Sequence, residues 1–351
     1  MTETSDKMPD NATSRPLVTF LLISYNQEDY IRSAVEGAFA QNYEPLEIIL
    51  SDDCSNDRTF DILKELAESY DGPHRVHVRQ NTKNSGTLRH LQLAVDEAKG
   101  AFIVLAAGDD VSRPNRVEKL YDAWSSQGSW AIFSDFADID YTGKVTKEHS
   151  KFEAIGEKRH GLASYIKGRT KEHNIVHGAT SAYDRRVFEY ITLPEDDYIL
   201  AEDGALSLLL HILDKDVTYI GAPLVEYRKH DYSLTNSTRR RLSWSKLIKA
   251  EETIAMYARS SSNRCAFILE SHRRMNQGEE PRIDIELIKR DMNNQRLVAN
   301  WWNMNSQQRL MALPKMERTL LRWAFPRLMP RRLFLAFKFM AGYFRQKDAK
   351  Q

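Results

Sequence analysis

Two acidic pairs follow apolar runs in this 351-residue chain and could do chemistry: Asp52-Asp53 and Asp109-Asp110. Neighbouring carboxylates supply hard oxygen ligands, so they suit a divalent cation carrying a phosphorylated ligand. The second pair closes Phe102-Ile103-Val104-Leu105-Ala106-Ala107-Gly108, a run of the length and character of a buried strand. The ends of such strands are where open α/β sheets place ligands. The same pair also reads as a turn or helix N-cap, because Ser112-Arg113-Pro114 follows and proline favours a first helical turn.

The elements that must position these acids decide between the two readings. Leu17 to Ile23 is nearly continuous apolar sequence and ends abruptly at Ser24-Tyr25-Asn26. Helical spacing runs from Tyr30 to Phe39 and breaks at Asn42-Tyr43-Glu44-Pro45. A second apolar run, Leu46 to Leu50, ends on Ser51-Asp52-Asp53, and Thr59 to Tyr70 is amphipathic. A short strand at Val76-His77-Val78, a helix from Leu88 to Ala98 and the Phe102 run complete a β-α-β-α-β-α-β pattern. Short connections in that order predict a parallel sheet with crossover helices. Parallel strands would bring Tyr25 and Asn26, Asp52 and Asp53, and Asp109 and Asp110 to one edge, which favours a ligand site over loop turns. A dinucleotide fingerprint is absent, since Ser-Tyr-Asn and not G-x-G-x-x-G follows the first strand; a Walker A loop is absent too.

Composition narrows the class further. The chain is 42% hydrophobic and 28% charged, as in ordinary folded proteins. Its formal net charge of +1 gives no global attraction to nucleic acid. Cys54 and Cys265 have neither disulfide nor zinc spacing and suit a reducing compartment. Residues 1–15 lack an apolar core, so no secretory signal is expected, and no run is long enough to span a bilayer. The expected location is cytoplasmic, at most peripheral on the inner face of the cell membrane.

Three segments resemble family 2 glycosyltransferases. Pro16 to Asn26 resembles their opening strand, and Ile48 to Thr59 their V-D-D-x-S-x-D-x-T segment. Asn84-Ser85-Gly86, Gly100-Ala101-Phe102-Ile103 and Gly108-Asp109-Asp110 resemble the N-x-G … G-x-y-I … D-D segment. The resemblance covers about residues 16–235 and implies an α/β fold of GT-A type, Rossmann-like with a mostly parallel sheet flanked by helices, and a helical C-terminal extension. It implies an inverting transfer from a nucleotide-diphosphate sugar, a UDP-sugar first, to a saccharide or lipid-linked acceptor in surface polysaccharide or glycan synthesis. Ser24, Tyr25, Asn26 and Asp53 would meet the nucleotide, with Asp53 on the base and Asp109 on the ribose. Asp110 would ligate Mn²⁺ or Mg²⁺, which offsets charge on the leaving diphosphate. Relatives often carry D-x-D-D where this chain has Ala107, so the metal rests on Asp110.

Further along, His177-Gly178-Ala179 to Phe188 resembles the family's segment near donor sugar and acceptor, where Gly178 lets backbone approach closely and Ala179 lies alongside. Glu202-Asp203 opens an apolar helical run and so suits a helix N-terminus. It also matches the family's E-D motif, which implies Asp203 as catalytic base and Glu202 as its orienting or acceptor-contacting neighbour. Tyr227-Arg228-Lys229-His230 resembles the Y-R-x-H ending; Arg228 would close on the diphosphate and His230 complete the metal shell. Arg89 is a weaker diphosphate candidate. Asp135 and Asp138 are expected to hold loops, and Trp301-Trp302 to pack in a core.

Residues 1–15 are expected as a disordered tail, 16–237 as the catalytic unit and 238–351 as a helical region. Within the last, Leu320 to Met340 interleaves Arg and Lys with aromatics and Leu, a pattern of helices that lie on a membrane surface or pack on protein. Two other functions compete. A nucleotidyltransferase would want a Gly-rich basic loop after the first strand, and Ser24 to Asp29 is not one. A non-catalytic nucleotide-sugar-binding protein would not need acids at Asp53, Asp110 and Asp203 together.

Overall fold

The computed structural model describes residues 15–148, 176–191, 193, 198–230, 243–275 and 282–348. The N-terminal tail apart from Arg15, most of the polar stretch within 141–173, the Asp231 to Thr235 end of the Tyr-Arg-His motif and Arg239-Arg240-Arg241 lie outside them.

The predicted alternation is present. In order come β1 (Val18–Ser24), α1 (Ile31–Phe39), β2 (Leu46–Asp52), α2 (Thr59–Glu68), β3 (Arg75–Gln80), α3 (Thr87–Glu97) and β4 (Phe102–Ala107). β5 (Val111–Ser112), α4 (Arg116–Gln127), β6 (Ala131–Ile139), β7 (Val145–Lys147), β8 (Ser181–Asp184), α5 (Glu202–Ile212) and β9 (Val217–Arg228) follow. Among the described residues the strands form one sheet in the order β3-β2-β1-β4-β8-β6-β9-β5, with β7 beside β6. β3, β2, β1 and β4 are mutually parallel, and β8 joins β4 antiparallel.

Side-chain alternation splits the central strands between two cores. Phe20, Leu22, Ile48, Leu50, Val104 and Ala106 face α1, α2 and α4. Leu21, Ile49, Ile103 and Leu105 face α3 and α5, along with the end of α6 (Trp244–Met275). Strands covered on both faces need apolar residues at successive positions, which is why β1 and β4 read as continuous runs. α5 is apolar nearly all round and sits in the second of these cores.

α6 is 32 residues long, about 48 Å at the helical rise. Cys265, Phe267 and Ile268 pack on the sheet side, whereas Ala258 and Leu247 pack in two C-terminal clusters. Those clusters are built with α7 (Ile285–Asn300), α8 (Ser306–Ala312), α9 (Arg318–Ala324) and α10 (Arg331–Asp348). Asp284 caps α7 through the Leu287 N–H, and Asn305 with Gln308 forms a capping box on α8. Trp301 is fully buried and its Nε1 donates to Arg327 O at 3.0 Å, so it is a core residue and no acceptor platform.

Two ion pairs sharing Glu251 tie this region together. Glu251 is fully buried and accepts from Arg327 Nε (2.9 Å), Arg327 Nη2 (2.8 Å), Lys338 Nζ (3.0 Å) and Trp302 Nε1 (3.2 Å). Burial would push its carboxyl up, but hydrogen bonds and charge from Arg327 and Lys338 outweigh that and hold it below the usual range. A lowered folded pKa contributes stability above the ordinary carboxylate value, and that stability is lost as pH falls through the lowered one. Glu251→Gln strands the buried Arg327 charge, so urea unfolding should show a loss of about 3 kcal/mol at neutral pH. A loss below about 1 kcal/mol would show the pair to be inessential.

Candidate active site

The parallel register aligns the strand tips. Ser24 lies beside Asp52 and Ile23 beside both Ser51 and Ala107. The Asp53 N–H donates to Ser24 O (2.9 Å) and the Gly108 N–H to Ile23 O (3.0 Å), so the three loops leave one edge together. Gly108 is required there, because a Cβ would run into Gln27 Oε1 and come within 2.9 Å of Ser24 Cβ.

The first two loops are cross-linked. Asn26 adopts a left-handed φ of 52°, accepts from the Asn56 N–H at Oδ1 and donates its own N–H to Ser55 Oγ. Ser24 is buried with its Oγ on Ser51 O, while Tyr25 is 41% exposed. Asp52 is a loop brace that accepts from the Ser55 N–H, Ser55 Oγ and Gln80 Nε2. Asp53 is buried and accepts from Asn81 Nδ2 (2.7 Å), the Ser85 N–H (2.9 Å) and the Gly86 N–H (3.1 Å). Desolvation pushes its carboxyl up against the pull of those bonds. Asp53 thereby fixes the 81–86 loop, against which Tyr198 packs at Gly86. Arg89 lies half-buried in the first turn of α3, just beyond that loop.

Asp109 and Asp110 have different surroundings. His230 Nε2 sits 3.1 Å from Asp109 Oδ2, and the His230 ring lies 4.6 Å from that of Tyr30. Asp110 is 6% exposed; its Oδ1 accepts from the Arg228 N–H at 2.9 Å, while its buried Oδ2 accepts from no described group. Desolvation and the charge of Asp109 push the Asp110 carboxyl well up. A divalent cation reverses both effects, and an unused buried oxygen gives it a ligand. Among the described residues no three His, Cys, Asp or Glu side chains converge on one point. Asp110, with Asp109 beside it, could hold a Mg²⁺- or Mn²⁺-type ion, which commonly takes few protein carboxylates.

Arg228 is placed differently from expectation. It is buried: Nε donates to Asp109 O (2.8 Å), Nη1 to Asp140 O (3.2 Å) and Tyr141 O (3.4 Å), and Nη2 to Ser33 Oγ (3.2 Å). Its guanidinium also covers the Tyr30 ring at 5.0 Å. A group tied to its own chain on so many sides braces the acidic loop and is not directed at a diphosphate. The tie depends on β5, where Val111 and Ser112 pair with Glu226 and Val225 at the end of β9. Two residues are too few for a periodicity signal, so the sequence offered only a turn.

On the other side of β4, Gly178 opens a short 3-10 helix that leads into β8. The Gly178 N–H donates to Asp203 Oδ2 (3.3 Å), and Asp203 Oδ1 accepts from the Gly204 N–H (2.6 Å). A Cβ on Gly178 would strike Glu202 Oε1 and lie 3.3 Å from Asp203 Cβ. Gly178→Ala should therefore displace the acidic pair by a few tenths of an ångström or more. On the sugar transfer that the family resemblance implies, turnover should fall about 10- to 100-fold with nucleotide affinity unchanged, read by kcat against calorimetric Kd. Equal losses in both would mean a general disturbance of the fold.

The sequence reading missed Arg116. It is fully buried at the start of α4, with Nη1 on Ser112 Oγ (2.8 Å) and Nη2 on Leu105 O (2.6 Å) and Ala179 O (3.2 Å). Burial pulls its guanidinium down to about 9, and the charge of Asp110 opposes the fall. Arg116 thus links the Asp110 loop to the Gly178-Ala179 segment that holds Asp203. A signal existed: Arg116 lies with Val117 and Leu120 on the apolar stripe of an amphipathic helix, where a cation needs a buried partner.

Comparison with known proteins gives four findings. The Glycosyl transferase family 2 model matches residues 19–192. TuaG of Bacillus subtilis (strain 168), which carries the name of a teichuronic acid biosynthesis glycosyltransferase, is 35% identical over 225 residues, 64% of this chain and 83% of TuaG. EpsH of the same organism, named as a glycosyltransferase, is 26% identical over 244 residues, 68% of this chain and 69% of EpsH. Among solved structures, the mannosyltransferase PcManGT from Pyrobaculum calidifontis, in complex with GDP-Man and Mn²⁺, superposes with a TM-score of 0.50. At 15% identity, over 93% of this chain and 88% of that one, this likeness shows a common fold alone.

Proposed function

The chain belongs to glycosyl transferase family 2, and from that membership we propose that it is an inverting, metal-dependent glycosyltransferase acting on a nucleoside-diphosphate sugar. The observation that carries the metal and donor reading is the buried, unpartnered Oδ2 of Asp110 at the sheet edge shared with Asp53. Asp110 would hold Mn²⁺ or Mg²⁺. Bound there, the cation offsets the charge that grows on the departing diphosphate. Asp109, steadied by His230, faces the ribose; Ser24, Tyr25, Asn26 and the loop fixed by Asp53 form the base pocket; Arg89 stands at its rim.

Asp203 acts as the base. The acceptor oxygen bonds to the anomeric carbon as the bond to the diphosphate breaks, and the hydroxyl proton passes to Asp203. A single displacement of this kind inverts the anomeric configuration. Glu202 and the Gly178-Ala179 backbone orient sugar and acceptor, and Arg228 and Arg116 brace the two halves of the site from behind. We assign this machinery to residues 16–237 and the helical extension to 238–351, whose described helices meet the sheet side through α6.

The donor we propose first is a UDP-sugar; PcManGT, whose structure contains GDP-Man and Mn²⁺, makes GDP-sugars the comparison. The acceptor we propose is a saccharide or lipid-linked saccharide in surface polysaccharide synthesis, in line with TuaG's name as a teichuronic acid biosynthesis glycosyltransferase. Calorimetry of the full chain with UDP and GDP, each with and without Mn²⁺, tests the donor site. Binding of one nucleotide that strengthens with metal supports the reading, and metal-independent or absent binding of both sinks it. A hydrolysis screen across nucleotide sugars then names the sugar.

A further inference from the structure

We propose that α10 and the turn before it form a docking surface for an anionic phospholipid bilayer, with the helix lying in the membrane plane. The described apolar side chains of α10 fall on two faces. Phe334 and Leu335 are buried against Leu247 of α6. Leu333, Phe337 and Met340, spaced i, i+4 and i+7 and so within one narrow arc, are 54–61% exposed. Phe325, in the preceding turn that packs against α10, is 56% exposed. Among the described residues outside the C-terminal helices, large apolar side chains are at most 42% exposed, save for Tyr141 with its polar hydroxyl.

Charge identifies the occupant. Between Arg318 and Ala341 there are six Lys or Arg and no Asp or Glu. Arg327 and Lys338 are consumed by Glu251 and Arg331 by Glu252, which leaves Arg318, Arg322 and Arg332 exposed without an ion-pair partner among the described residues. An exposed apolar stripe with uncompensated cations in the same stretch of chain complements lipid headgroups of negative charge over acyl chains. No described helix is long and apolar enough to cross a membrane, so attachment in the surface plane is the mode that fits. The Glu251 pairs and the Phe334-Leu335 contacts hold α10 in place, so the stripe is presented ready-made. Deleting the tail would uncover Leu247 and unpair Glu251, which makes deletion a poor test.

The test is flotation of the full chain with vesicles of phosphatidylglycerol and phosphatidylcholine in equal parts, against pure phosphatidylcholine, at low salt. Wild type should float with the anionic vesicles and remain behind with the neutral ones. Leu333→Glu with Phe337→Glu should lower the partition coefficient by about tenfold or more. Arg322→Gln and Arg332→Gln should each lower it about fivefold and flatten its salt dependence. Melting temperature and Mn²⁺-linked nucleotide binding serve as controls and should not move in any variant. That readout is independent of lipid, so failure here and failure of the enzymatic reading are distinguishable. Absent wild-type flotation, equal flotation on both lipids, or undiminished binding by the double variant would overturn the proposal. So would a wild-type dimer in sedimentation that the double variant loses, since a second copy would then be the occupant.

Discussion

Asp203→Asn should leave nucleotide binding intact and lower transfer by about 10³-fold or more. The substitution is isosteric, and the amide oxygen can still accept from the Gly204 N–H, although the Gly178 N–H loses its acceptor. α5 keeps its apolar contacts, because the change is confined to the helix's first turn. What disappears is an atom able to take the acceptor's proton. Steady-state release of nucleoside diphosphate with acceptor present measures the loss, and calorimetry with the donor nucleotide measures what is kept. Turnover within about tenfold of wild type would exclude Asp203 as the base. Loss of both readouts would mean that the acidic pair supports the fold.

Asp110→Asn should remove the metal dependence of nucleotide binding, a weakening of about 10³-fold at saturating Mn²⁺. The amide can still accept from the Arg228 N–H, so the β5–β9 junction survives. The metal-free variant should also be at least as stable as wild type near neutral pH, which separates a ligand role from a structural one. The sign follows from burial. A carboxyl pushed up on folding binds its proton more tightly in the native state. That stabilisation is complete below the ordinary carboxylate value and is lost as pH rises through the raised one. Metal-free wild type should therefore lose stability across that window, and the variant should not. Mn²⁺ should restore the wild type by about 2.7 kcal/mol at a hundredfold excess over its Kd, and leave the variant unmoved. Metal-linked binding that survives the substitution would refute the assignment.

Much of the catalytic half was legible in residue order. The apolar runs at Val18, Leu46 and Phe102 are strands buried on both faces, so hydrophobicity alone marks them and their polar ends. The 32-residue α6 is harder to read, because its apolar positions serve three separate cores and no single stripe runs its length. Arg228 carries the same lesson for the site. Its motif marks it as a site residue, but a guanidinium can point at a substrate or into its own chain, and no spacing rule distinguishes them.

The sequence by itself determined the α/β alternation, the shared edge of the parallel strands and the residue types that gather there, because local periodicity and parallel pairing suffice for those. The tertiary structure alone decided what each charged group faces. Asp53 is spent on its neighbouring loop, Asp110 retains an unused oxygen, Arg228 and Arg116 are buried braces, and α10 is both packed and exposed. The physical reason is that desolvation and hydrogen-bond satisfaction depend on partners from α1, β5, β9 and the Gly178 turn, up to 195 residues away in the chain.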